Sequence, residues 1–516
     1  MSTDATLLPD DLAACHALIG QLAATNDQFS ATVDAQQREL DQLKHYIAQL
    51  VRARYGPRSE KVDPAQLALF AESASLAEAL PEPEPLDEVV RTERRRGKRQ
   101  RLPADLPRER VEHDLADEEK RCPDCGILRE RIGCESSEQL EFVPAQLHVI
   151  EHVRWKYACR GCQEQVAIAP PAAKPIERGI PGPGLLAQLI VGKYGDHLPL
   201  YRLEDIFTRH GVELSRSTLC RWARLAADRL APLYQLLVER VRRSHVIHTD
   251  DTPVSVLDAQ LPETRTGRFW VYVGDAEHPY SVYDYTPSRK RDGPAGFLAG
   301  YRGYLAADAF SGYDGIYAGG NVQQVLCWAH ARRKFYEART VQPAAHQALA
   351  FISRLYDIER EAKDCPPERR LKLRRARSLP ILGQLRAWLS ATEPTVLPKS
   401  PLGQAIGYVL PRWDGFTRYC ADGRLAIDNN VSERTLRPCA IGRKNWLFLG
   451  SDRGGRTAAI LFSLVASAKR HELEPFAYLR DVLSRIGPTL ADDLLGNLLP
   501  DAWLAEHPQS RRPHSR

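Results

Sequence analysis

The sequence lacks the features of a membrane or secreted protein. No uninterrupted apolar run reaches the ~18–20 residues that a helix needs to cross a bilayer. The N-terminus, Met-Ser-Thr-Asp-Ala-Thr, does not have the basic and then apolar pattern of a secretory leader. These absences predict a cytoplasmic protein with no membrane partner.

The sequence also has little net charge and few clustered cysteines. It contains 71 Lys and Arg against 66 Asp and Glu, a net charge of only +5. Any affinity for nucleic acid must therefore come from local basic patches. Its 11 cysteines are an odd number, spread thinly outside one cluster, which favours a reducing compartment and metal binding over disulfides. A chain of 516 residues is too long for one core, so about two to four domains are expected.

Apolar residues recur at heptad spacing from Leu12 to Leu50. The run contains no proline and continues for nearly six heptads, which predicts a coiled coil within residues 1–60. Such a coiled coil would make the protein a homo-oligomer, and Asn26 at an a position would fix its register. A long helix packed on its own protein is the alternative.

A linker with a basic run is predicted over residues 61–110. Residues 71–90 are rich in Ala, Glu and Pro, and 91–101 hold seven basic residues and one acidic residue. A run of this kind can neutralise DNA phosphates, whereas a solvated linker without a partner is the alternative. The residues expected to contact DNA there are Arg94, Arg95, Arg96 and Lys98.

Two CxxC motifs predict a zinc-binding β domain over residues 111–175. The four expected ligands are Cys122, Cys125, Cys159 and Cys162. This pattern is typical of a closed tetrahedral Zn–Cys₄ site, and four protein ligands leave no open position for substrate, so the one zinc ion would be structural. Cys134 is an alternative ligand. A strand is expected over 143–157, before the second motif.

A helix-turn-helix is predicted within residues 176–240. Residues 199–210 have helical apolar spacing and stop at Gly211, and a second helix is expected over 215–227 with Ser215 as its N-cap. In that helix Leu219 and Trp222 would pack inward. Arg216, Ser217 and Arg221 would face DNA. An ordinary helical hairpin is the alternative.

Strand signals alternate through residues 244–335, which predicts five strands with helices on the faces. This is the plan of a ribonuclease-H-like sheet within residues 241–485. A charged helical insertion is expected over 336–410, a glycine-bearing turn over 451–456 and a C-terminal tail over 486–516. The predicted fold class is therefore multidomain α+β or α/β.

Three acidic residues suggest chemistry. Asp250 and Asp308 each follow an apolar run that predicts a strand, and Glu433 opens a predicted helix. Carboxylates at the ends of two strands and on a later helix can hold two divalent cations that act on a phosphodiester. Mg²⁺ suits such a site because water and phosphate complete its shell, and Mn²⁺ has the same preferences.

Each carboxylate has a structural alternative. Asp250 and Asp251 could begin a turn, Asp308 could cap the next helix, and Glu433 could form a capping box with Asn430. Taken together and in this order, the three acids favour the functional interpretation.

Other residues near the predicted site remain open. Asp428 is the rival of Glu433 as third ligand, and His330 is an additional catalytic candidate. Candidates for positioning phosphates are Arg443, Lys444 and Arg453.

Read in order, these motifs resemble the insertion sequence 66 family of transposases. The resemblance covers nearly the whole chain and rests on the two CxxC motifs and on residues 54–60, 197–202, 250–253, 327–333, 428–434 and 442–446. It implies a DDE transposase with a ribonuclease-H-like core, two Mg²⁺ ions and the triad Asp250, Asp308 and Glu433, acting on the terminal inverted repeats of its own element. Asp251 stands where the family pattern would have Glu, so which aspartate binds metal stays ambiguous.

The resemblance also implies a bacterial, nucleoid-associated protein that two small accessory proteins of its element assist. The predicted function is metal-dependent cleavage of double-stranded DNA at element ends and strand transfer into a target. A ribonuclease-H-like nuclease that cuts without joining is an alternative that the sequence does not separate. A zinc-bearing regulator without chemistry is a second alternative, which the ordered acidic triad disfavours.

Overall fold

The computed structural model describes residues 16, 20–30, 32–33, 36–37, 147–158, 166–168, 174–177, 179–258, 260–486 and 492–512. The predicted basic run and all five cysteines of the predicted zinc domain lie outside these residues. The chain divides into two compact units, one of residues 1–77 and 154–516 and one of residues 78–153. No helix in the described ranges is long and apolar enough to cross a membrane.

Residues 20–30 form a helix within the predicted heptad region. Leu22 and Phe29, both at core positions of the heptad, are 61 % and 66 % exposed. Apolar side chains exposed along one helix are what a coiled-coil seam presents in a single chain. The helix is as predicted, and oligomerisation through it stays a prediction.

A short hairpin brackets the second CxxC motif in sequence. Strand β1 (Lys156–Ala158) pairs antiparallel with β2 (Val166–Ile168). The strand expected over 143–157 is shorter than predicted, because residues 147–155 have no regular structure. Their side chains are exposed, and no strand among the described residues pairs with them.

Three helices precede the sheet: α1 (Pro183–Ile190), extended by a π-helical turn over Val191–Gly195, α2 (Leu200–Arg209) and α3 (Arg216–Arg242). The predicted turn is present, since Gly211 has φ +82° and the Ser215 hydroxyl accepts the N–H of Thr218 at 3.3 Å. At 27 residues, α3 is much longer than the predicted 215–227. It continues because its buried face continues, through Leu230 and Leu237 to Val241.

A six-stranded mixed sheet follows, in the order β5-β4-β3-β6-β7 with β8 also paired to β3. Its strands are β3 (Val246–Val256), β4 (Arg265–Val273), β5 (Ser281–Thr286), β6 (Gly303–Ala307), β7 (Val322–Leu326) and β8 (Phe448–Leu449). The β3–β4 and β4–β5 pairs are antiparallel, and β3–β6 and β6–β7 are parallel. The five predicted strands are all present.

Helices surround this sheet. Between β5 and β7 lie α4 (Asp292–Phe297), a 3₁₀ turn over Ser311–Tyr313 and α5 (Asp314–Ala318); α6 (Trp328–Ala338) follows β7. After the insertion come α12 (Asn430–Trp446), α13 (Asp452–Arg470), α14 (Pro475–Arg485), α15 (Asp492–Leu495) and α16 (Pro500–Glu506), with 3₁₀ turns over Gly496–Leu498 and Pro508–Ser510.

The predicted insertion is helical. It contains α7 (Ala345–Glu361), α8 (Pro367–Leu373), a π-helical turn over Arg374–Ser378, α9 (Leu379–Thr392) and α10 (Pro401–Val409), with a 3₁₀ turn over Glu393–Thr395. Helical structure continues past the predicted end at residue 410, through a 3₁₀ turn over Leu410–Arg412, α11 (Trp413–Thr417) and a 3₁₀ turn over Arg418–Cys420, so the insertion extends to residue 420. The buried guanidinium of Arg374 donates to both carboxylate oxygens of Glu359, at 2.8 and 2.6 Å, and to the Tyr419 carbonyl at 2.8 Å. These bonds fix the π-helical turn that contains Arg374 against α7 and against the 3₁₀ turn over Arg418–Cys420.

Two hydrophobic cores organise the described residues. One joins α1–α3, α13 and α14 to most of the sheet, and the other joins the insertion to α6 and β7. The predicted helix-turn-helix region therefore shares its core with the sheet, and residue 240 does not separate two cores. The predicted tail is also packed, because Leu495, Leu499 and Trp503 are buried in the first core.

The predicted turn over 451–456 is instead the start of α13. The Ser451 hydroxyl caps the helix by accepting the N–H of Gly454 at 3.2 Å. A Cβ on Gly455 would lie 2.5 Å from the Tyr285 ring, so this glycine lets α13 pack closely against β5. Gly455 therefore reflects close packing and not a turn.

We expect Gly455→Ala to lower the melting temperature of the full chain, because overpacking of this kind costs roughly 1–3 kcal/mol. Gly454→Ala is the matched control, since its Cβ would meet only the Ser451 hydroxyl, at 3.8 Å. A helical Gly-to-Ala change in open space is neutral or stabilising by up to ~1 kcal/mol. Equal melting temperatures for the two variants would contradict the packing argument.

Candidate functional site

The sheet brings Asp250 and Asp308 to the same level. The parallel register pairs His248 with Ala306, so two residues further along Asp250 lies level with Asp308, one residue past the end of β6. The sequence suggested that Asp250 lies at the end of a strand, but in the structure it lies within one. Strand β3 continues to Val256 because β4 pairs with it over that whole length.

The neighbouring aspartates Asp250 and Asp251 point to opposite faces of β3, as alternation in a strand requires. The Asp251 side chain is only 3 % exposed and forms ion pairs at 2.8 Å with Arg268 and Arg289. The Arg289 guanidinium also lies 4.1 Å from the centre of the Phe310 ring, two residues after Asp308. Asp251 is thus neutralised and serves as a structural anchor.

Asp250 has no such cation. In the described part of the chain, neither Asp250 nor Asp308 is paired with Lys or Arg; one Asp250 oxygen accepts the Asp251 N–H at 2.8 Å. Burial raises the pKa of the Asp250 carboxyl to about 7, and the nearby carboxylates of Asp308 and Glu433 add to the rise. A buried acid beside other acids is a common sign of a functional site.

Glu433 lies in the first turn of α12, which packs across β3. One of its carboxylate oxygens is buried without a hydrogen-bond partner, so it does not fold back on the helix as a capping box would. The His330 ring lies close to it, with Nε2 at 3.6 Å from that oxygen. The other ring nitrogen of His330 is also buried without a partner.

Local bonds engage both oxygens of Asp428 but only one oxygen of Asp308. Asp428 accepts the N–H of Asn430 at 3.2 Å, its side-chain amide at 2.7 Å and the Tyr356 hydroxyl at 3.2 Å. Asp308 accepts the Phe310 N–H at 3.1 Å with one oxygen. The Asp428 side chain therefore holds the start of α12, whereas Glu433 is free to accept a ligand.

Asn429, which the sequence reasoning did not single out, joins the elements of the site. Its buried amide donates to the Thr249 carbonyl at 2.8 Å, and its amide oxygen accepts the Ser432 hydroxyl at 3.0 Å. Its backbone N–H donates to the Cys327 sulfur at 3.1 Å. The residue thus ties β3, one position before Asp250, to the starts of α6 and α12.

His248 completes this buried network. Its ring Nδ1 donates to the Asn429 amide oxygen at 3.1 Å. Burial lowers the pKa of His248 to about 4, so the ring is neutral at physiological pH. His248 is thus a strand residue that faces the core.

The residues predicted to bind DNA on α3 are exposed. Arg216, Ser217 and Arg221 lie on the surface, while Leu219 and Trp222 are buried. Arg216 forms an ion pair with Glu204 at 3.2 Å. The face of α3 is therefore oriented as predicted, and its contact with DNA stays a prediction.

The three other predicted phosphate contacts differ from one another. Arg443 donates to the Thr252 hydroxyl at 2.8 Å and to the Pro253 carbonyl, so part of its guanidinium holds α12 on β3. Lys444 is exposed on the same helix. Arg453 is exposed and pairs with Asp228 at 3.3 Å.

No three His, Cys, Asp or Glu side chains within the described ranges form a cluster ready to hold a metal ion. The five cysteines that the structure describes are free thiols. Any metal at Asp250, Asp308 and Glu433 would thus need water or substrate oxygens to complete its shell, as Mg²⁺ usually does.

The chain matches four protein-family models. They are the Transposase IS66 family over residues 178–457, the zinc-finger binding domain of transposase IS66 over 119–163, the Transposase C of IS166 homeodomain over 42–111 and the IS66 C-terminal element over 463–501. The zinc-finger match spans all four predicted zinc ligands, and the last match covers part of the predicted tail.

The chain is also similar to proteins of Sinorhizobium fredii (strain NBRC 101917 / NGR234). Uncharacterized protein y4jD is 32 % identical over 94 % of this chain and 99 % of its own length. Uncharacterized protein y4qI is 34 % identical over 93 % of this chain and 94 % of its own length. Uncharacterized protein y4hP is 33 % identical over 80 % and 78 %.

We expect Asp250→Asn to stabilise the protein in EDTA at pH 8 and to have little effect near pH 4. The folded state raises the pKa of Asp250 to about 7, whereas an unfolded Asp has a pKa near 4. Ionisation of Asp250 therefore lowers the free energy of unfolding progressively as pH rises from about 4 to 7, by up to ~4 kcal/mol. The side-chain amide in the Asp250→Asn variant does not ionise, so the variant avoids this loss.

Melting temperatures of both proteins across this pH range measure the effect. Mg²⁺ should raise the melting temperature of the wild type at pH 8 more than that of the variant, since a bound cation offsets the cost of ionising the buried Asp250. A difference between wild type and variant that did not change with pH would contradict the argument.

Proposed function

Because the chain belongs to the transposase IS66 family and is an insertion-sequence transposase that binds DNA, we propose that Asp250, Asp308 and Glu433 hold the divalent cations with which it cuts and joins DNA. The observation that carries the proposal is that Asp250 and Asp308 lie level on neighbouring strands and Glu433 lies on the helix that packs across β3, and none of the three is paired with Lys or Arg in the described residues. Burial and the two nearby acids raise the pKa of Asp250 to about 7. Such a cost in folding free energy is understandable where a cation offsets it.

The residues fit Mg²⁺ by their chemistry. All three offer carboxylate oxygens, the ligands that hard cations prefer, and the buried unpartnered oxygen of Glu433 is available to accept one. Mn²⁺ has the same ligand and geometry preferences and should replace it. When bound, a pair of such ions would assist both nucleophilic attack on the phosphodiester and departure of the leaving oxygen.

The protein itself supplies the alignment. Asn429 holds the strand of Asp250 against the helix of Glu433, and the β3–β6 register sets the level of Asp308. The ion pairs of Asp251 engage both of its carboxylate oxygens, so Asp251 is not a rival ligand. His330 lies beside Glu433, and it is positioned to orient that carboxylate or to contact the DNA phosphate.

We propose that the catalytic core is ribonuclease-H-like. Three antiparallel strands, β3 to β5, followed by the parallel strands β6 and β7 on the other side of β3, support this assignment. So does the position of the acids, one on the central strand, one after its parallel neighbour and one on a helix that packs across β3.

DNA is proposed to contact several basic segments. These are Arg216, Ser217 and Arg221 on α3, the free part of Arg443 with Lys444 on α12, Arg453 on α13, and the run Arg94, Arg95, Arg96 and Lys98. The α3 residues would read base edges at the terminal inverted repeats, and the others would neutralise phosphates. Because its substrate is DNA, the protein is proposed to act at the bacterial nucleoid.

We also propose a structural zinc ion on Cys122, Cys125, Cys159 and Cys162, which the zinc-finger match supports. Metal analysis of the full chain purified without chelator should find one zinc per molecule, and its absence would reject the site.

A homo-oligomer through the heptad of residues 1–60 is proposed as well. Light scattering should show dissociation when Leu40 and Leu43 are replaced by Glu. Help from two small accessory proteins would appear as higher transposition in cells that express them.

The triad is tested by Asp250→Asn, Asp308→Asn and Glu433→Gln, which keep shape but remove charge. Each variant should bind element ends normally in EDTA yet lose Mg²⁺-dependent cleavage and joining by several orders of magnitude. The losses should not add in combination, because the three residues serve one metal pair. Labelled element ends incubated with a target plasmid, and sized afterwards, report both steps.

Asp314→Asn is the matched control, an exposed acid six residues after Asp308 that should keep full activity. Normal cleavage by any triad variant would remove that residue from the metal site. Products that are cut but never joined to the target would reduce the proposal to a nuclease.

Asn429→Ala should raise the Mg²⁺ concentration for half-maximal cleavage by about tenfold, because a looser site binds the cations more weakly. Asn430→Ala is the control, since that side chain bonds only to Asp428. A merely structural role would lower the melting temperature without moving the Mg²⁺ dependence. An unchanged Mg²⁺ dependence in the Asn429 variant would therefore contradict a positioning role.

A further inference from the structure

A basic cleft lies between the helical insertion and the edge of the sheet. Its volume is about 510 Å³, and edge strand β7 forms one wall with Gln323 and Gln324. Three arginines of the insertion also line the cleft, namely Arg386 on α9, Arg412 before α11 and Arg418 after α11. We term these three residues the arginine cleft.

The arginines of the cleft lack anionic partners. Among the residues that the structure describes, none of the three forms an ion pair, and Asp414, the one acid that lines the cleft, is paired with none of them. Arg386 lies 5.9 Å from the centre of the Trp413 ring, and Arg412 makes one bond of 3.4 Å to the Tyr408 carbonyl. Arg418 is half-buried. Three guanidinium groups held together without counter-charge favour binding of an anion.

The charge of the insertion identifies the kind of anion. Residues 336–420 contain 14 Lys and Arg against 8 Asp and Glu, a surplus of +6, whereas the whole chain has a surplus of only +5. This segment is therefore one of the strongly basic parts of the chain. Guanidinium groups bind phosphate in bidentate fashion, and DNA is the polyanion that this protein binds.

The location of the cleft also suits a DNA substrate. Strand β7 leads from the cleft at Val322 to α6, where His330 lies beside Glu433. Tyr408 connects the two places, because its hydroxyl accepts the N–H of Ala309, the residue after Asp308, at 3.4 Å, and its carbonyl accepts a bond from Arg412 at 3.4 Å. One duplex that enters the site can therefore reach both.

We propose that the arginine cleft binds adjacent backbone phosphates of the DNA duplex whose scissile bond lies at Asp250, Asp308 and Glu433. Contact with a phosphate carries no sequence information, so this site would position any duplex, including target DNA. The inference rests on the DNA binding of the transposase but not on its metal chemistry.

The test is the salt dependence of DNA binding by the full chain in EDTA, measured by fluorescence anisotropy with a labelled 40-base-pair duplex of random sequence. Arg386→Gln with Arg418→Gln should lower the slope of log affinity against log salt by about 2, because each lost phosphate contact removes about 0.9. Arg386→Lys with Arg418→Lys keeps both charges and should retain most of the slope. Melting temperatures establish that each variant is folded, and Arg386→Gln alone, on an exposed helix face, should lower the slope by about 1.

The matched control is Arg369→Gln with Arg375→Gln, two exposed arginines of the same insertion outside the cleft. An equal loss in this control would show a general effect of charge and overturn the site. An unchanged slope in the folded cleft variant would do the same. Stabilisation of the wild type by inorganic phosphate, with no effect of the cleft variant on DNA binding, would make the cleft a small-anion site and overturn the DNA proposal. Because no cleavage is measured, failure of the metal proposal would leave these outcomes unaffected.

Discussion

The buried amide of Asn429 is the interaction on which the geometry of the site depends. It donates to the carbonyl next to Asp250 and accepts from the first turn of the helix that carries Glu433. These segments are about 180 residues apart in sequence, as the Asn429–Thr249 bond shows. A buried polar group must be hydrogen-bonded to avoid a large desolvation cost, so its bonds restrict the two elements to one arrangement. The alignment of the carboxylates thus follows from the satisfaction of one amide.

Two adjacent aspartates have opposite roles because a strand turns successive side chains to opposite faces. Asp251 faces Arg268 and Arg289, and its charge is balanced within the protein. Asp250 faces the other acids, and burial together with their charge raises its pKa to about 7. The fold therefore separates a stabilising carboxylate from one whose ionisation opposes folding. In the proposed transposase mechanism, divalent cations offset that cost when they bind, which couples metal binding to stability.

The insertion between β7 and α12 extends this arrangement to the surface. Its own hydrophobic core includes residues of α6 and β7, so it is packed firmly on the edge of the sheet. The surplus of positive charge in residues 336–420 is therefore held on an element that packs against the sheet. A basic surface placed rigidly next to an acidic site can neutralise the DNA backbone while the acids bind cations. The proposed arginine cleft is one part of that surface.

The sequence by itself determined the family, the five strands of the sheet, the helical insertion and the inward and outward faces of α3. These features depend on local periodicity and on ordered motifs, which are visible without coordinates. The ends of elements were less well predicted. Strand β3 extends past Asp250, α3 is longer, and α13 begins where a turn was expected, because packing against β4, the core and Tyr285 overrides local signals.

Only the tertiary structure decided how the acids differ from one another. From sequence, Asp250 and Glu433 were the preferred ligands, but Asp251 and Asp428 stayed open as their alternatives. The ion pairs of Asp251 and the local bonds of Asp428 occupy those two side chains, whereas a buried oxygen of Glu433 has no hydrogen-bond partner. The role of Asn429 and the arginine cleft could not be predicted from the sequence either, because both depend on which distant segments meet in the fold. Charge and hydrogen-bond partners depend on which residues meet in space, and the sequence order alone does not contain that information.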